Sequence, residues 1–503
     1  MRYKILSVFA ALIGITACGD LTSINQNPNG PVDVPPPSIL PSVIQTLAGT
    51  VNGVTSLNIR GGGLWVQYYS EIQYRDEDKF ILRSGTSGGW GLYSSVLEDV
   101  QRMIIKGQAS NAANWTSVGQ VLKAYTFSVM TDMMGDLPYS QALRGDTVLH
   151  PAYDSQQSIY DSLLANLAGA SSAFNLAPGA VGFANGDLLY AGNMAKWQKF
   201  ANSLRLRLAI HLSQADPTKA ASEAAAAVAA AGGVFTSNAD NAELMYLATL
   251  PNVNPIYNDA HPGARDDYGL SRSFVDTLNS WADPRLPVYA QIPPAGTGYR
   301  GLANGLLDGE KIDTLDALKY ISRIGALWRE KGDAPLELLT YSEVLFLQAE
   351  AAERGWIPGG TTAAATFYHK GIVANLVQYG LQADTAAYLA QAKVGYDAAG
   401  ATQAGHLQQI AFQKWLSLFM QGPEAWTEVR RTGVPTIVPG CHAATRSSPE
   451  RLPYDDNEGV LNAANLAAAV SAQGFTQGND ITKPLWFTGR ATSPTYPPPA
   501  YCP

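Results

Sequence analysis

Apolar residues recur at helical spacing on both sides of a long polar turn between positions 119 and 170. Those before the turn are Val121, Leu122, Tyr125, Val129 and Met133, and those after it are Ile159, Leu163, Leu164 and Leu167. This spacing puts the apolar side chains of each segment on one face of a helix. Gly135 and Pro138 end the first helix, and Asp154 is placed to cap the second. Two helices joined by so long a connector indicate a helical-repeat scaffold that carries loops.

Helical pairs also occupy the last third of the chain. The pattern predicts one pair of helices over 341–354 and 363–379, and another over 406–420 and 423–431. The first pair has the size of a tetratricopeptide unit, about 34 residues. By contrast, Gly, Pro, Asn and Tyr are scattered through 251–334. We therefore predict a mainly α fold, a tetratricopeptide-like α-α superhelix with an inserted loop-rich subdomain over 251–334.

Composition and charge narrow the range of functions. Apolar residues make up 46% of the 503 residues and charged residues 15%, so the chain can bury a large core. The formal net charge of −8 argues against nucleic acid, or an anionic membrane surface, as the main partner. A neutral ligand or a protein partner fits this balance.

The N-terminus has the pattern of a secretory signal. Two basic residues precede an apolar stretch at 5–15, which is too short to span a bilayer. The stretch leads into Ile-Thr-Ala-Cys, which resembles a bacterial lipobox. We expect a signal peptide over 1–17, a lipid on Cys18 and a Pro-rich tether over 18–37. No later segment of the sequence reaches about 18 apolar residues, so this lipid would be the sole membrane attachment.

Two further cysteines, Cys441 and Cys502, remain to be assigned. In an exported, oxidising context, a disulfide between them is the default expectation. It would join the Pro-rich C-terminal tail to the loop after Pro439. The spacing of Cys and His residues indicates no metal site, and we predict no cofactor.

Several sequence motifs resemble those of one family. The run TDMMGDLPYSQA at 131–142 is similar to the TDxxGDxPYSEA signature of SusD/RagB-like nutrient-binding outer-membrane lipoproteins. YDSQQSIY at 153–160 is similar to the YDxQExIY that follows in that family, with Gln141 and Gln157 in place of Glu. Further matches are KWQKFANSLRLR at 196–207, DPRL at 283–286, RLPY at 451–454 and KPLW at 483–486. Their agreement in order and spacing is far more specific than any one motif.

The resemblance implies a location, a ligand class and a partner. A SusD-like domain would fill 38–503, held by lipid to the outer membrane and facing the exterior. It would bind a nutrient, which we expect to be an oligosaccharide, and deliver it to a TonB-dependent, SusC-like transporter. RagB-like relatives bind peptides, so a peptide ligand stays an alternative.

Aromatic residues are the candidates for ligand binding. They form 10% of the chain, and Trp and Tyr offer a flat apolar face with a polar handle. We expect loops and helix starts to present them. The aromatic candidates are Trp65, Tyr69, Tyr74 and Trp90 from the first third and Tyr257, Tyr268 and Trp328 from the loop-rich subdomain, and the polar candidates are Arg75, Asn258 and Arg265. We predict that the two sets meet across one shallow groove, whereas Trp197, Trp415 and Trp426 belong to the core.

Two other functions compete with binding of a small ligand. A lipid-anchored hydrolase would use Ser87, in a match to G-x-S-x-G at 85–89, or the carboxylates at 76–78. A nucleophile elbow needs an α/β sheet, and consecutive carboxylates on a loop point in different directions. We therefore predict that the chain is not an enzyme. The second alternative is a helical-repeat scaffold whose concave face binds only protein.

Overall fold

The computed structural model describes residues 33–54, 57–82, 89–261 and 263–502. These residues are mainly helical, as predicted. The α-helices are α1 (Pro36–Asn52), α2 (Glu98–Ala109), α3 (Ala113–Met134), α4 (Gln156–Ala173), α5 (Met194–His211), α6 (Pro217–Ala229), α7 (Pro255–Ala260), α8 (Arg272–Ser280), α9 (Leu286–Tyr289), α10 (Ala326–Arg329), α11 (Tyr341–Glu353), α12 (Gly360–Gln378), α13 (Thr385–Leu389), α14 (Gln403–Ser417), α15 (Gly422–Thr432), α16 (Glu458–Leu461) and α17 (Ala463–Ala472). The strands are β1 (Tyr69–Glu71), β2 (Ala242–Leu244), β3 (Tyr268–Leu270) and β4 (Leu336–Leu339).

Part of the predicted N-terminal organisation lies outside the described residues. This holds for the signal peptide over 1–17, for Cys18 and for most of the tether. Helix α1 begins at Pro36, inside the range predicted as tether. Among the described residues, none of the helices combines the length and the apolar character that crossing a membrane requires.

Neighbouring helices in the sequence pack against each other. In the first half, α2 packs on α3, α3 on α4, α4 on α5 and α5 on α6. In the second half, α11 packs on α12 and on α14, and α14 packs on α15. Because α5 also contacts α11, the two runs of helices share one apolar core. This is the tetratricopeptide-like packing that the sequence predicts.

Buried ion pairs tie three of these helices together. Arg207 of α5 forms a two-point bond with Glu343 of α11, with both nitrogen–oxygen distances 2.6 Å. Arg431 of α15 binds Glu350 of α11 in the same way, with both distances 2.7 Å, and also binds Glu428. A buried guanidinium must be paired, so each arginine fixes the position of its partner helix.

Capping of α4 differs from the prediction. Ser155 is the cap, because its hydroxyl accepts the backbone N–H of Ser158 at 3.2 Å. The carboxylate of Asp154 accepts the backbone N–H groups of Tyr139 and Ser140 instead, at 3.0 and 2.7 Å. The prediction for Asp154 was therefore wrong, since this side chain closes the connector between α3 and α4 rather than starting a helix.

The loop-rich subdomain is joined to the first third by strands. β1 pairs antiparallel with β3, with Tyr69 opposite Leu270, and β2 pairs with β4. A disulfide links Cys441 to Cys502, with 5.4 Å between their Cα atoms. These links hold the loops between 251 and 334, and the C-terminal tail, against the helical scaffold.

Candidate ligand-binding site

Three of the aromatic residues predicted to bind ligand lie in the core. Trp65 is 1% exposed, and its ring meets that of Trp426 at 4.7 Å. Tyr69 is fully buried in β1. Trp328 is 0% exposed and packs against Phe419 at 5.6 Å. These predictions were wrong, because a stacking residue needs an open ring face and these rings lie among other core side chains.

Two more of the predicted residues have structural roles. Tyr268 is buried in β3, opposite Glu71 of β1. Arg75 is also buried, and its guanidinium donates to the carbonyl of Leu307 at 2.7 Å and to that of Ile72 at 3.3 Å. The predictions for both residues were wrong, since strand pairing and loop anchoring occupy them.

Four more of the predicted residues lie at or near the surface: Tyr74 of the first third, and Tyr257, Asn258 and Arg265 of the loop-rich subdomain. Tyr74 is 56% exposed, and the guanidinium of Arg265 lies 6.0 Å from its ring centre. Tyr257 is half-buried against His261, with 4.8 Å between the ring centres, and Asn258 beside it is exposed. The structure thus brings Tyr74 of the first third close to Arg265 of the subdomain, whereas Trp65, Tyr268 and Trp328 of the predicted groove are buried.

A cleft of about 380 Å³ opens next to these residues, and we call it the Asp266 cleft. Its size falls in the range of small-molecule sites, about 300–1,000 Å³. It is lined by Asp266, Gln291, Ile292, Pro293, Pro294, Leu318, Lys319, Arg323, Arg329 and Glu330. His261 borders it, because its Nε2 lies 2.7 Å from an oxygen of Glu330. Tyr74 contacts Arg265, which precedes Asp266 in the chain, and Tyr257 contacts His261.

One wall of the cleft is polar and held in place. The carboxylate of Asp266 binds Arg323 at two points, 2.6 and 2.7 Å, and Arg329 at 3.1 Å. Burial opposes ionisation of Asp266, but the hydrogen bonds and positive charges of Arg323 and Arg329 together outweigh it and lower the pKa of this carboxyl. The side-chain amide of Gln291 donates to Glu330 at 3.0 Å. The wall therefore presents planar donors and acceptors in fixed positions.

Four apolar residues also line the cleft, and we call them the apolar shelf: Ile292, Pro293, Pro294 and Leu318. Ile292 is 54% exposed, although it is a large apolar side chain. Sugar rings have apolar C–H faces and hydroxyl rims, so a cleft lined by both apolar residues and planar polar groups suits them. Both carboxylates in the cleft are engaged by cations, which fits binding better than acid–base chemistry.

Comparison with known proteins decides the family. A SusD-like family model, described as "Starch-binding associating with outer membrane", matches residues 28–455. The chain belongs to the SusD-like family.

Solved structures agree with this SusD-like assignment. A chitin-binding protein is 28% identical, with a TM-score of 0.76, over 90% of this chain and 100% of that one. A SusD homologue from Bacteroides fragilis is 26% identical, with a TM-score of 0.77, over 91% of this chain and 100% of that one. A chitin-binding SusD homologue from Flavobacterium johnsoniae is 25% identical, with a TM-score of 0.76, over 90% and 98%. No curated protein sequence matches the chain.

Trp90 of this SusD-like chain belongs to a different surface. It is half-buried, and its ring stacks on Tyr153 at 6.2 Å and meets Tyr93 and Tyr454 at 5.2 and 6.1 Å. The hydroxyl of Tyr153 donates to Glu458 at 2.8 Å. The structure thus places Trp90 against the connector that carries the family motif, in an aromatic cluster of its own.

The groups that a hydrolase would use are dispersed in the SusD-like fold. Ser87 lies outside the described residues. Glu77 pairs with Arg60, whereas Asp78 is buried and accepts hydrogen bonds from Ser70 and Asn304 at 2.9 and 2.6 Å. Burial raises the pKa of Asp78. Both carboxylates therefore stabilise the loop after β1 and do not face each other across a cleft.

One buried group of side chains has the geometry of a metal site. Ligand atoms of His211, Glu424 and Glu428 lie within 4.8 Å of one another. The ammonium of Lys414, however, lies 3.3 Å from Glu424 and 3.4 Å from Glu428, and Arg207 lies 3.5 Å from Glu424. Side-chain cations already neutralise these carboxylates, so we interpret the group as an ion network between helices.

Little in the sequence indicated which residues line the cleft. Arg323, Ile292 and Leu318 were absent from the predicted site, since nothing in the sequence shows that an apolar residue in a loop is exposed. The adjacent prolines Pro293 and Pro294 were the one signal for an exposed loop at this position. Two consecutive prolines form a stiff, extended segment that belongs neither to a helix interior nor to a paired strand.

Proposed function

We propose that this protein binds a neutral oligosaccharide in the Asp266 cleft and passes it to a TonB-dependent, SusC-like transporter of the outer membrane. One observation carries the proposal. The apolar shelf, Ile292 to Pro294 with Leu318, lines the same cleft as the paired planar groups of Asp266 and Arg323. Two of the similar structures are named as chitin-binding, which supports a glycan over a peptide.

The proposal includes anchoring of the protein to the outer membrane by a lipid. The protein would be exported by the signal peptide over 1–17, carry lipid on Cys18 and face the exterior on its tether. Cys18→Ala should then leave the outer-membrane fraction or stay uncleaved. A variant that fractionates with the outer membrane as the parent does would contradict this anchoring.

Delivery to the transporter is tested by association. A transporter encoded next to this chain should co-purify with it from detergent-solubilised membranes. The same membranes carrying Cys18→Ala are the control. A neighbouring hydrolase and no co-purifying transporter would speak against the import role.

Ligand binding is tested by calorimetry with chitohexaose and maltohexaose on the purified chain. Ile292→Asp puts a charge on the apolar shelf and should weaken binding of the preferred hexasaccharide at least about tenfold, because a carboxylate there must be desolvated. Leu149→Asp is the matched control, since Leu149 is 73% exposed and does not line the cleft. Equal affinities for the two variants would overturn the Asp266 cleft as the site.

A further inference from the structure

A second cleft of about 380 Å³ lies beside the start of α8. Its lining includes Arg272 and Asp276 of α8, Arg300, and Tyr501 of the C-terminal tail. We call it the tail cleft. The groups that line it play no part in the Asp266 cleft.

The tail is fixed where it reaches this cleft. The disulfide to Cys441 holds Cys502, the neighbour of Tyr501. Cys441 in turn donates its backbone N–H to Asn304 at 3.2 Å. Upstream, Tyr496 donates its backbone N–H to the carbonyl of Arg446 at 2.9 Å. The ring of Tyr501 is therefore a held part of the cleft wall.

Tyr501 offers a ring face in the cleft. Its ring centre lies 5.3 Å from the guanidinium carbon of Arg272, and the residue is 40% exposed. The disulfide at Cys502 and the hydrogen bond at Tyr496 restrain the segment that carries this tyrosine. A restrained and partly open ring loses little entropy when a ligand stacks on it.

The two arginines of the tail cleft are already neutralised. Arg300 binds Asp313 at 2.6 Å and Asp316 at 3.1 Å. Arg272 binds the same two carboxylates, at 3.4 and 3.0 Å. Asp316 is buried and also accepts the backbone N–H of Ile312 at 2.8 Å. The guanidinium groups are thus rigid donors whose charge is balanced.

Asp276 differs from the other charged groups of this cleft, which are all paired. Its carboxylate makes no hydrogen bond or ion pair with any residue that the structure describes. The site is not strongly negative, because two guanidinium groups, of Arg272 and Arg300, offset two of its three carboxylates. These carboxylates belong to Asp276, Asp313 and Asp316. A free acceptor remains next to fixed donors and an aromatic ring.

This set of groups selects one class of ligand. An anion would find both guanidinium groups already paired, and a cation would meet the positive charges of Arg272 and Arg300, which line the same cleft as Asp276. A neutral polyol suits the site, because vicinal hydroxyls can donate to the carboxylate of Asp276 and accept from guanidinium edges while the ring lies on Tyr501.

We propose that the tail cleft is a second saccharide subsite, built by the disulfide-held C-terminal tail. This inference rests on the proposed function, in that both concern glycan binding. A main-chain hydrogen bond connects the segments that carry the two clefts: Arg323 of the Asp266 cleft follows Ser322, which donates its backbone N–H to the carbonyl of Arg300 of the tail cleft at 2.8 Å. A glycan that contacts both clefts gains affinity through effective concentration.

The test compares variants of the two clefts. In calorimetry with chitohexaose and maltohexaose, Tyr501→Ala and Asp276→Asn should each weaken binding of the preferred hexasaccharide about tenfold. Tyr501→Phe keeps the ring and should keep the affinity. Cys441→Ser/Cys502→Ser, which releases the tail, should behave like Tyr501→Ala. Melting curves are recorded for all variants, and if Tyr501→Ala melts early, the isosteric Asp276→Asn decides.

Crystals of the chain soaked in chitotriose or maltotriose separate this inference from the proposed function. Sugar density in the tail cleft supports the subsite, even if the Asp266 cleft is empty and the proposed function fails. Density in the Asp266 cleft alone, with unchanged hexasaccharide affinity for Tyr501→Ala and Asp276→Asn, overturns the subsite and leaves the proposed function standing. Density in neither cleft overturns both.

Discussion

Some aromatic residues of this chain stabilise the core and others lie exposed at the surface. Substitution by alanine distinguishes the two kinds. Trp65→Ala should lower the free energy of unfolding by about 3–5 kcal/mol, because it empties a buried site against Trp426. Tyr74→Ala should change it by no more than about 0.5 kcal/mol, since Tyr74 is an exposed side chain. Denaturant unfolding checks both values. A stable Trp65→Ala variant would contradict the burial of this ring.

His211 should make stability depend on pH. Burial alone would lower its pKa, but Glu424 and Asp132 outweigh burial and raise that pKa to about 9 from 6.5. Stabilisation by the charged ring is thus complete below pH 6.5 and is lost as the pH rises through 9. The contribution is about 3 kcal/mol, at 1.36 kcal/mol for each pKa unit.

His211→Gln isolates this contribution from other titrating groups. The difference in unfolding free energy between the parent and His211→Gln should shrink by about 3 kcal/mol between pH 6.5 and pH 9. Measurement of urea unfolding for both proteins at several pH values gives this difference. A difference that stays constant over the interval would show that His211 is uncharged in the fold.

Residue burial could be predicted where a regular element carries the residue. Trp197, Trp415 and Trp426 have apolar neighbours on long helices, and the prediction that they belong to the core is confirmed. Trp65 and Trp328 lie in a turn and in a four-residue helix, where spacing carries no signal. Their burial depends on helices far away in the sequence, so local patterns could not show it.

At the scale of elements, one close approach of two backbones depends on glycine. A Cβ atom on Gly422, at the start of α15, would lie 1.9 Å from the carbonyl oxygen of Asn58. A Cβ atom on Gly62 would lie 2.4 Å from the backbone of Gly422. No side chain can move aside here, because the obstructing atoms are main-chain atoms. The segment at 57–63 and α15 therefore pack at a distance that only glycine allows.

Gly422→Ala should destabilise the fold by at least about 2 kcal/mol, because α15 would be pushed off this segment. Gly169→Ala is the matched control. Gly169 lies inside α4 with no atom within 4 Å of its Cβ position, so alanine there should stabilise by about 0.5–1 kcal/mol. Thermal melting of both variants measures the contrast. Equal melting temperatures would mean that α15 can shift at low cost.

Helices were more predictable than strands for a physical reason. The apolar period of α3 and α4 lies within each segment, so the sequence alone indicates them. Each strand of the β1–β3 and β2–β4 pairs has only three or four residues, and its partner lies far along the chain. Tyr74 and Arg265 could be predicted as surface residues from their position in loops. The Asp266 cleft could not be predicted, because its lining residues lie far apart in the sequence.

At the scale of the whole molecule, the disulfide links the C-terminal tail to the loop after Pro439, which in turn contacts the loop-rich subdomain through Asn304. Cys441→Ser should lower the unfolding free energy by about 2–4 kcal/mol, since 61 residues separate Cys441 from Cys502 and a long loop in the unfolded chain is then no longer closed. Unfolding with and without a reductant measures this loss in the parent. The Cys441→Ser variant is the control, because a reductant should not destabilise it further.

The overall charge and the charge pairing in the Asp266 cleft lead to a prediction about salt. The chain has a net charge of −8, but the cleft carboxylate Asp266 is bound by Arg323 and Arg329, so a neutral glycan meets no unpaired charge there. Salt screens charges that act between molecules and leaves contacts with neutral sugars nearly unaffected. Affinity for the preferred hexasaccharide should therefore change less than about twofold between about 50 and 500 mM NaCl. Calorimetry at the two concentrations measures this affinity.

A peptide ligand with charged side chains would instead lose affinity steeply as the salt concentration rises. A loss of about tenfold or more would therefore favour the peptide alternative over the glycan.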